Sequence, residues 1–400
     1  MTVSHSLTRA TLTLLGGSAL AQALPLLLGP WLSRLYTPAE WGQFSLVWSA
    51  AANLAVVGCA RYEFALALET DEPTAARLMA LYLRVWLAVL GAAVLVGAAW
   101  MLWADLPLAA ALPLAVAASS LSQWMAQWAA RGGAFSALAA GRFVQWGGAA
   151  VAQVGAGLLA WGVWGLMAGA TLAAAAAAWL QMRPAPAGGW RRLLAAQPWR
   201  DLAHKHRDFP LLNTPHAFAG VLQDTLALVV LTAWWGDAAA GAWALALRYL
   251  KAPASLVGGA LSQTLYPQLA READGRPLVR RSLLLLAALA LPLAAVLLVW
   301  GPALFVWAFG PAWGPSGELA RSLAPYVALH FIASPLSVVL MAWGAQAWGL
   351  RLALVGQGLF LAGLALGSWW GGLTGAGWGV SGAMLVYFGY FFWKLWHWPR

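Results

Sequence analysis

Charge is scarce in this chain. Only 9% of its 400 residues are Asp, Glu, Lys or Arg, and Asp and Glu together number 13. A soluble surface of this size must be largely polar, so a soluble globular protein is excluded. The formal net charge of +10 therefore has no soluble basic face to sit on, which removes a nucleic-acid partner. Cysteine is scarcer still. Cys59 stands alone, so no intrachain disulfide forms and no redox compartment can be read. No Gly-x-x-x-x-Gly-Lys phosphate loop occurs, which argues against ATP hydrolysis by this chain. His5, His204, His206, His216, His330 and His397 lack zinc-like spacing with acidic partners. No catalytic constellation, metal site or cofactor motif emerges, and the expectation is a protein that is not an enzyme.

Apolar residues fill the space left by these absences. They make up 62% of the chain and recur in runs of about 20, the length that crosses a bilayer as a helix. The runs cover 11–32, 42–62, 76–102, 108–129, 137–158, 162–182, 211–234, 240–266, 282–307, 318–343, 350–369 and 374–396. The fold class read from them is an all-α polytopic membrane protein with about twelve transmembrane helices. The 42 glycines suit helices that pack closely without a hydrophobic drive from water. Ala21-Gln22-Ala23 looks like a signal-peptidase site, but the apolar run continues past it to Leu32. The expectation is a retained first helix, with a cleaved signal as the alternative.

Lys and Arg set the orientation. With the N-terminus inside, Arg9, Arg61, Arg77, Arg131, Arg142, Arg271, Arg276, Arg280, Arg281, Arg351, Lys394 and Arg400 all fall on the cytoplasmic side. So does the polar stretch 183–210, and little but Arg34 remains outside. Both termini are expected in the cytoplasm, and basic loops are expected to touch anionic lipid headgroups. The stretch 183–210 divides the chain into an N-lobe of helices one to six (1–182) and a C-lobe of helices seven to twelve (211–400). The halves echo one another. "LYTPAEWGQFSL" joins helices one and two and "WWGDAAAGAWAL" joins seven and eight, with Gly42 aligned to Gly241. "GVWGLMAG" from Gly162 resembles "GAGWGVSG" from Gly375. Two six-helix lobes in the same orientation suggest parallel repeats, which in transporters flank the substrate.

Several long stretches carry a resemblance. "LPLLLGPWLSRLYTPAEWGQF", "RYEFALALETDEPTAARL", "RDFPLLNTPHAF", "AGAWALALRYLKAPASLVGGALSQTLYPQLAR" and "FGPAWGPSGELARSLAPYVALHFIASPLS" resemble the polysaccharide biosynthesis family, the O-antigen repeat-unit flippases. That family lies within the multidrug/oligosaccharidyl-lipid/polysaccharide exporter superfamily. The resemblance implies a two-lobed bundle with a central cavity and alternating access, in the bacterial inner membrane. It also implies a substrate oligosaccharide carried on undecaprenyl pyrophosphate. Lipid II flippases look similar but usually have two further helices, so the O-antigen type is the expectation.

Candidate site residues follow from charge inside apolar runs. Arg248 and Lys251 lie one turn apart in the eighth run, with Ser255, Gly258 and Ser262 at helical spacing behind them. A cation at mid-membrane costs at least about 2.5–3.5 kcal/mol, so it faces protein or water and marks a function. A diphosphate suits the pair, since Arg binds phosphate bidentately and Lys as a point charge. Snorkelling and a structural ion pair are the alternatives. Asp224 is the only carboxylate well inside an apolar run, at a depth matching Arg248. It reads either as a titratable group coupling transport to a proton or sodium ion, or as a structural partner of Arg248. Arg84 either lines the N-lobe or snorkels to the inner edge. Arg34 either meets substrate near the exit or anchors the interface. Arg61 is expected to pair with Glu63 and Arg321 with Glu318, and His330 reads as a core histidine. Competing functions are a drug or metabolite exporter of the same fold and a membrane polysaccharide polymerase or ligase. The first needs intramembrane carboxylates beyond Asp224. The second needs a long outer loop, and the outer loops here are about a dozen residues or shorter.

Overall fold

The structure, a computed structural model, describes residues 21–69, 71–183, 190, 199–271 and 274–398. Much of the expected polar linker, the start of the first apolar run and the side chain of His216 lie outside the described residues. Helix α1 covers residues 21–27 and Gly29–Leu35. It is followed by α2 (Pro38–Val57), α3 (Glu72–Ala104) and α4 (Leu112–Arg131). Helix α5 runs over Phe135–Phe143, widens into a π turn at Val144–Gly148 and continues to Leu158. Next come α6 (Gly162–Met182), the short α7 (Arg200–Lys205) and α8 (Thr214–Trp235). The chain closes with α9 (Asp237–Arg271), α10 (Arg276–Phe309), α11 (Gly314–Ala342) and α12 (Gln346–Trp396). Among the described residues, seven helices are long and apolar enough to cross a membrane. The protein is thus an all-α polytopic membrane protein.

Some boundaries move from the sequence expectation. The second run stops at Val57, not 62. Gly58 lies hard against Ser120, and the chain then reverses through positive φ at Ala60 and Arg61. A 3-10 turn over Tyr62–Ala67 follows, so the Arg61–Glu63 pair (4.0 Å) sits beyond the helix rather than at its end. The eleventh and twelfth runs stay distinct, as expected: Gly371 and Gly372 leave helical φ/ψ and divide α12 into two helical arms.

The chain divides into two compact units. Unit 1 holds residues 21–36 and Gln43–Thr225; unit 2 holds Thr37–Gly42 and the described residues from Leu226 onward. The division falls inside α8. In unit 1, α6 packs on α4 and α5, and α3 packs on α4. Tyr36 donates to the Gln153 carbonyl (2.7 Å), and Gln153 donates on to that of Leu166 (2.9 Å). In unit 2, α11 is the central helix and packs on α9, α10 and α12.

Backbone contact at glycine sets these crossings. The first turns of α2 and α9 meet in unit 2 at Gly42 and Gly241, the two positions aligned in the repeat. A Cβ on Gly42 would strike the Asp237 carbonyl, and one on Gly241 the Pro38 carbonyl. The two arms of α12 cross through Gly363-x-x-x-Gly367 and Gly375-x-x-x-Gly379, each glycine facing the backbone of its counterpart. In the other half, Gly165 and Gly169 let α6 reach Ala156 and Gln153 of α5.

The segment 199–209 clasps unit 1. Leu202 is 4% exposed, in a core with Tyr62, Leu78, Tyr82 and Trp124. Arg77 pairs with Asp201, and Lys205 with Glu69. The His206 ring contacts the same Glu69 oxygen at 2.9 Å, and Tyr62 donates to the Ala203 carbonyl (3.2 Å). The lysine and histidine hold the Glu69 carboxyl below its usual range, and Arg77 does the same for Asp201. Exposed ion pairs contribute about 0–1 kcal/mol, whereas burying a leucine contributes about 1.5–3 kcal/mol. Leu202 therefore carries most of the docking, and the ion pairs fix its register.

Two outcomes are expected. Gly241→Ala lowers the melting temperature, at a cost of about 1–3 kcal/mol from overpacking. Gly91→Ala, with open space around it, does not; equal melting temperatures would contradict the crossing. For the clasp, Leu202→Ala speeds hydrogen exchange over 200–206 more than Glu69→Gln does at pH 7. In the wild type the contribution of a depressed carboxylate persists above its unfolded value of about 4 and is lost as pH falls through its lower folded value. Protection that already drops between pH 7 and pH 5 would contradict that assignment.

Candidate functional site

The site begins with a helix cap. Thr37-Pro38-Ala39-Glu40 forms a capping box: the Thr37 amide and hydroxyl both donate to Glu40 Oε2 (2.8 and 2.9 Å), and the Glu40 amide donates to Thr37 Oγ1 (3.3 Å). Proline at the first helical position adds a preset φ. This turn projects Trp41, which is 2% exposed. Its ring meets Trp313 edge-on at 6.0 Å and 86°.

The guanidinium of Arg248 lies over the Trp41 ring at 5.6 Å. Such a contact is worth about 0.5–2 kcal/mol depending on desolvation. It orients the cation and brings no formal negative charge to it. The register of α9 against α11 is fixed nearby, where Ser316 donates to the Ala242 carbonyl (3.0 Å). Lys251, one turn on, is half-buried, as is Arg248. The Tyr249 ring lies against that of Phe309, tilted by 57° at 4.6 Å, and lines an apolar cavity of about 290 Å³ between α9 and α10.

The polar stripe expected behind Arg248 divides. Gly258 is buried against Ser334, and Ser262 donates to the Pro335 carbonyl (3.4 Å), so both belong to the α9–α11 contact. Ser255 is exposed and bonds within its own helix. Pro253, inside α9, removes a backbone hydrogen bond between the cations and this lower part.

Arg34, Arg84 and Asp224 are in unit 1, on separate helices. Arg34 ends α1 and donates to the Pro30 carbonyl (2.6 Å), favourably placed on the negative end of its helix. Arg84 donates to the Ala80 carbonyl (2.6 Å), with its guanidinium over Trp199 at 5.7 Å, beside the clasp. Asp224 is an exposed residue of α8. The neighbouring Thr225 is buried and hydrogen-bonded by Asn53 of α2, which also donates to the Ser49 carbonyl at 2.9 Å. Arg321 pairs with Glu318 (3.2 Å), and His330 sits in an aromatic cluster with Tyr326 and Phe388, as a core histidine would. Sequence reasoning passed over Asn53 and Trp41. The S/T-x-x-E cap spacing pointed to the turn that carries Trp41, but nothing local showed that a cation lies above it. Among the described residues no group of His, Cys, Asp or Glu could hold a metal ion.

No family model matches the chain, and no curated protein matches it by sequence. Solved structures do match. The lipid II flippase MurJ in an inward closed conformation aligns with a TM-score of 0.71 at 9% identity, over 95% of this chain and 89% of that one. An inward-facing multidrug resistance MATE family transporter of the MOP superfamily gives 0.65 at 14% identity, over 95% and 93%. A Vibrio cholerae MATE transporter gives 0.54 at 16% identity, over 99% and 96%. At such low identity the likeness is one of fold: the chain is similar to these transporters along nearly its whole length.

Proposed function

We propose that the chain is a flippase that carries an undecaprenyl-pyrophosphate-linked oligosaccharide, an O-antigen or exopolysaccharide repeat unit, from the cytoplasmic to the periplasmic leaflet of the bacterial inner membrane. In this reading both termini are cytoplasmic and the protein works by ion-coupled alternating access. Arg248 and Lys251 hold the anionic pyrophosphate. The observation that carries the reading is Arg248 itself: a cation inside an apolar helix, held by the face of Trp41. The fold supports it, since a protein named as a lipid II flippase shares it at a TM-score of 0.71. An exporter of organic cations would instead place carboxylates where α9 carries Arg248 and Lys251. Arg34 is read as a cation near the exit. Arg84 is read as part of the clasp and a lesser contact to substrate. Asp224 is read as the coupling carboxylate.

In proteoliposomes, normalised to folded protein, Arg248→Lys retains part of the translocation, losing the bidentate fork but keeping the charge. Arg248→Gln loses roughly tenfold or more. The double variant Arg248→Ala with Lys251→Ala is inactive yet inserted, because the charge is itself the cost of insertion. Full activity in the double variant would end the headgroup reading. Loss of folded protein would instead identify the cations as structural.

Asp224→Asn is expected to weaken the response to an imposed proton or sodium gradient while headgroup binding stays intact. Wild-type gradient-driven rates in that variant would make the carboxylate dispensable for coupling.

A further inference from the structure

Two helices of unit 2 are interrupted by proline where they flank one cavity. A proline inside a helix leaves the carbonyl four residues back without its ladder bond and bends the helix there. Pro253 does this to α9 at the Tyr249 carbonyl, and Pro302 to α10 at the Leu298 carbonyl. Arg321 of α11 donates to the Leu298 carbonyl (3.1 Å), so that bond is replaced from the neighbouring helix. Helices α9 and α10 both pack along α11 but meet each other little. Between them lies the apolar cavity of about 290 Å³, lined by Tyr249, Pro253, Leu293, Leu297, Phe305 and Phe309. Leu304 and Trp307 at its rim are exposed, so a chain can enter from the side of the bundle.

The two ends of the cavity differ. On α10 it follows about 24 Å of helix, from Leu293 to Phe309. Helix α10 is long and apolar enough to cross a membrane. Its stretch from Ser282 to Phe309 carries no charge, and Leu293 stands near the middle of that stretch. On α9 the wall is the turn from Tyr249 to Pro253, which contains Lys251 and follows Arg248 directly. The Tyr249 ring lies against Phe309. The cations therefore adjoin the Phe309 end, while the Leu293 end reaches the middle of the uncharged run. An occupant that suits both ends is an amphiphile, with an anionic head and a hydrocarbon tail.

Resting on the reading above that places a pyrophosphate at Arg248 and Lys251, we infer that this cavity receives the head-proximal isoprene units of a polyprenyl tail. A tail in the surrounding lipid is already in an apolar medium, so burial alone gives it little reason to enter. Selection then comes from entropy and shape. Each isoprene unit holds one rigid double bond, so fewer rotors freeze than in a saturated chain of equal length. Freezing rotors is a main cost of binding. The methyl branches suit an irregular wall of rings and bent backbone, where close contact gains dispersion energy. The Tyr249, Phe305 and Phe309 rings offer faces and edges to the alkene segments.

The test is photolabelling of the purified full chain in phosphatidylcholine nanodiscs, whose acyl chains compete in large excess. Two probes carry the same phosphate head and a diazirine at the same position: geranylgeranyl phosphate, and a straight saturated alkyl phosphate of equal main-chain length. The isoprenoid probe should label the stretches 249–253 and 293–309 at least about tenfold more than the saturated one. Filling the cavity by Ala308→Phe, or its rim by Leu304→Trp, should lower that labelling several-fold. Leu291→Trp, on an exposed position outside the lining, should leave it unchanged. Equal labelling by the two probes would make the cavity an acyl-chain groove and overturn the assignment. Labelling spread along the chain, or unchanged in both filled variants, would overturn it as well. Variants are compared as monodisperse protein, and the rim substitution keeps the test decisive if Ala308→Phe fails to fold. Failure of the flippase reading would appear as absent lipid-linked translocation with selective labelling intact. Failure of the tail site would appear as unselective labelling with the Arg248 dependence of translocation intact.

Discussion

Backbones that touch without side chains between them are the constraint on which this bundle rests. In a lipid solvent, burying leucine against leucine gains little over burying it against an acyl chain, so helices associate through close packing. Gly42 and Gly241 bring the first turns of α2 and α9 within reach of each other's carbonyls. Gly363, Gly367, Gly375 and Gly379 do the same for the two arms of α12. Interiors are close-packed, so a single methyl at such a point displaces a helix. Gly42 and Gly241, aligned in the sequence, are both places where a side chain cannot fit.

The cation on α9 depends on one of these crossings. The capping box at Thr37–Glu40 fixes the first turn of α2, and Gly42 closes that turn against α9. Trp41, between them, then has one place to go, beneath the guanidinium of Arg248. An aromatic face holds a cation in position while adding no formal charge to cancel it.

Ion pairs behave differently in segment 199–209. There each ion pair has one exposed partner, Asp201 or Lys205, open to solvent screening, so its energetic weight is small. Asp201 and Lys205 act as guides for Leu202, which enters a core of aromatic and aliphatic side chains. The same residue types thus do two jobs in one chain, decided by burial. On α9 a cation rests on an aromatic face, and in segment 199–209 charges register a clasp.

Helix content and rough position were legible in the sequence because length and hydropathy are local properties of a run of residues. The all-α polytopic class needed nothing more. The position of Arg248 inside an apolar run was visible for the same reason, as were the Arg321–Glu318 pair, one helical turn apart, and the cap spacing before Trp41. What lies against what was decided only by the tertiary structure. Gly42 and Gly241 could be aligned from their flanking residues, but their mutual contact joins segments nearly 200 residues apart. The polar stripe of α9 looked continuous at ideal helical spacing, yet Gly258 and Ser262 belong to its contact with α11. A helix's periodicity says which residues share a face. Which neighbour that face meets depends on the three-dimensional closure of the chain, and local spacing carries no record of it.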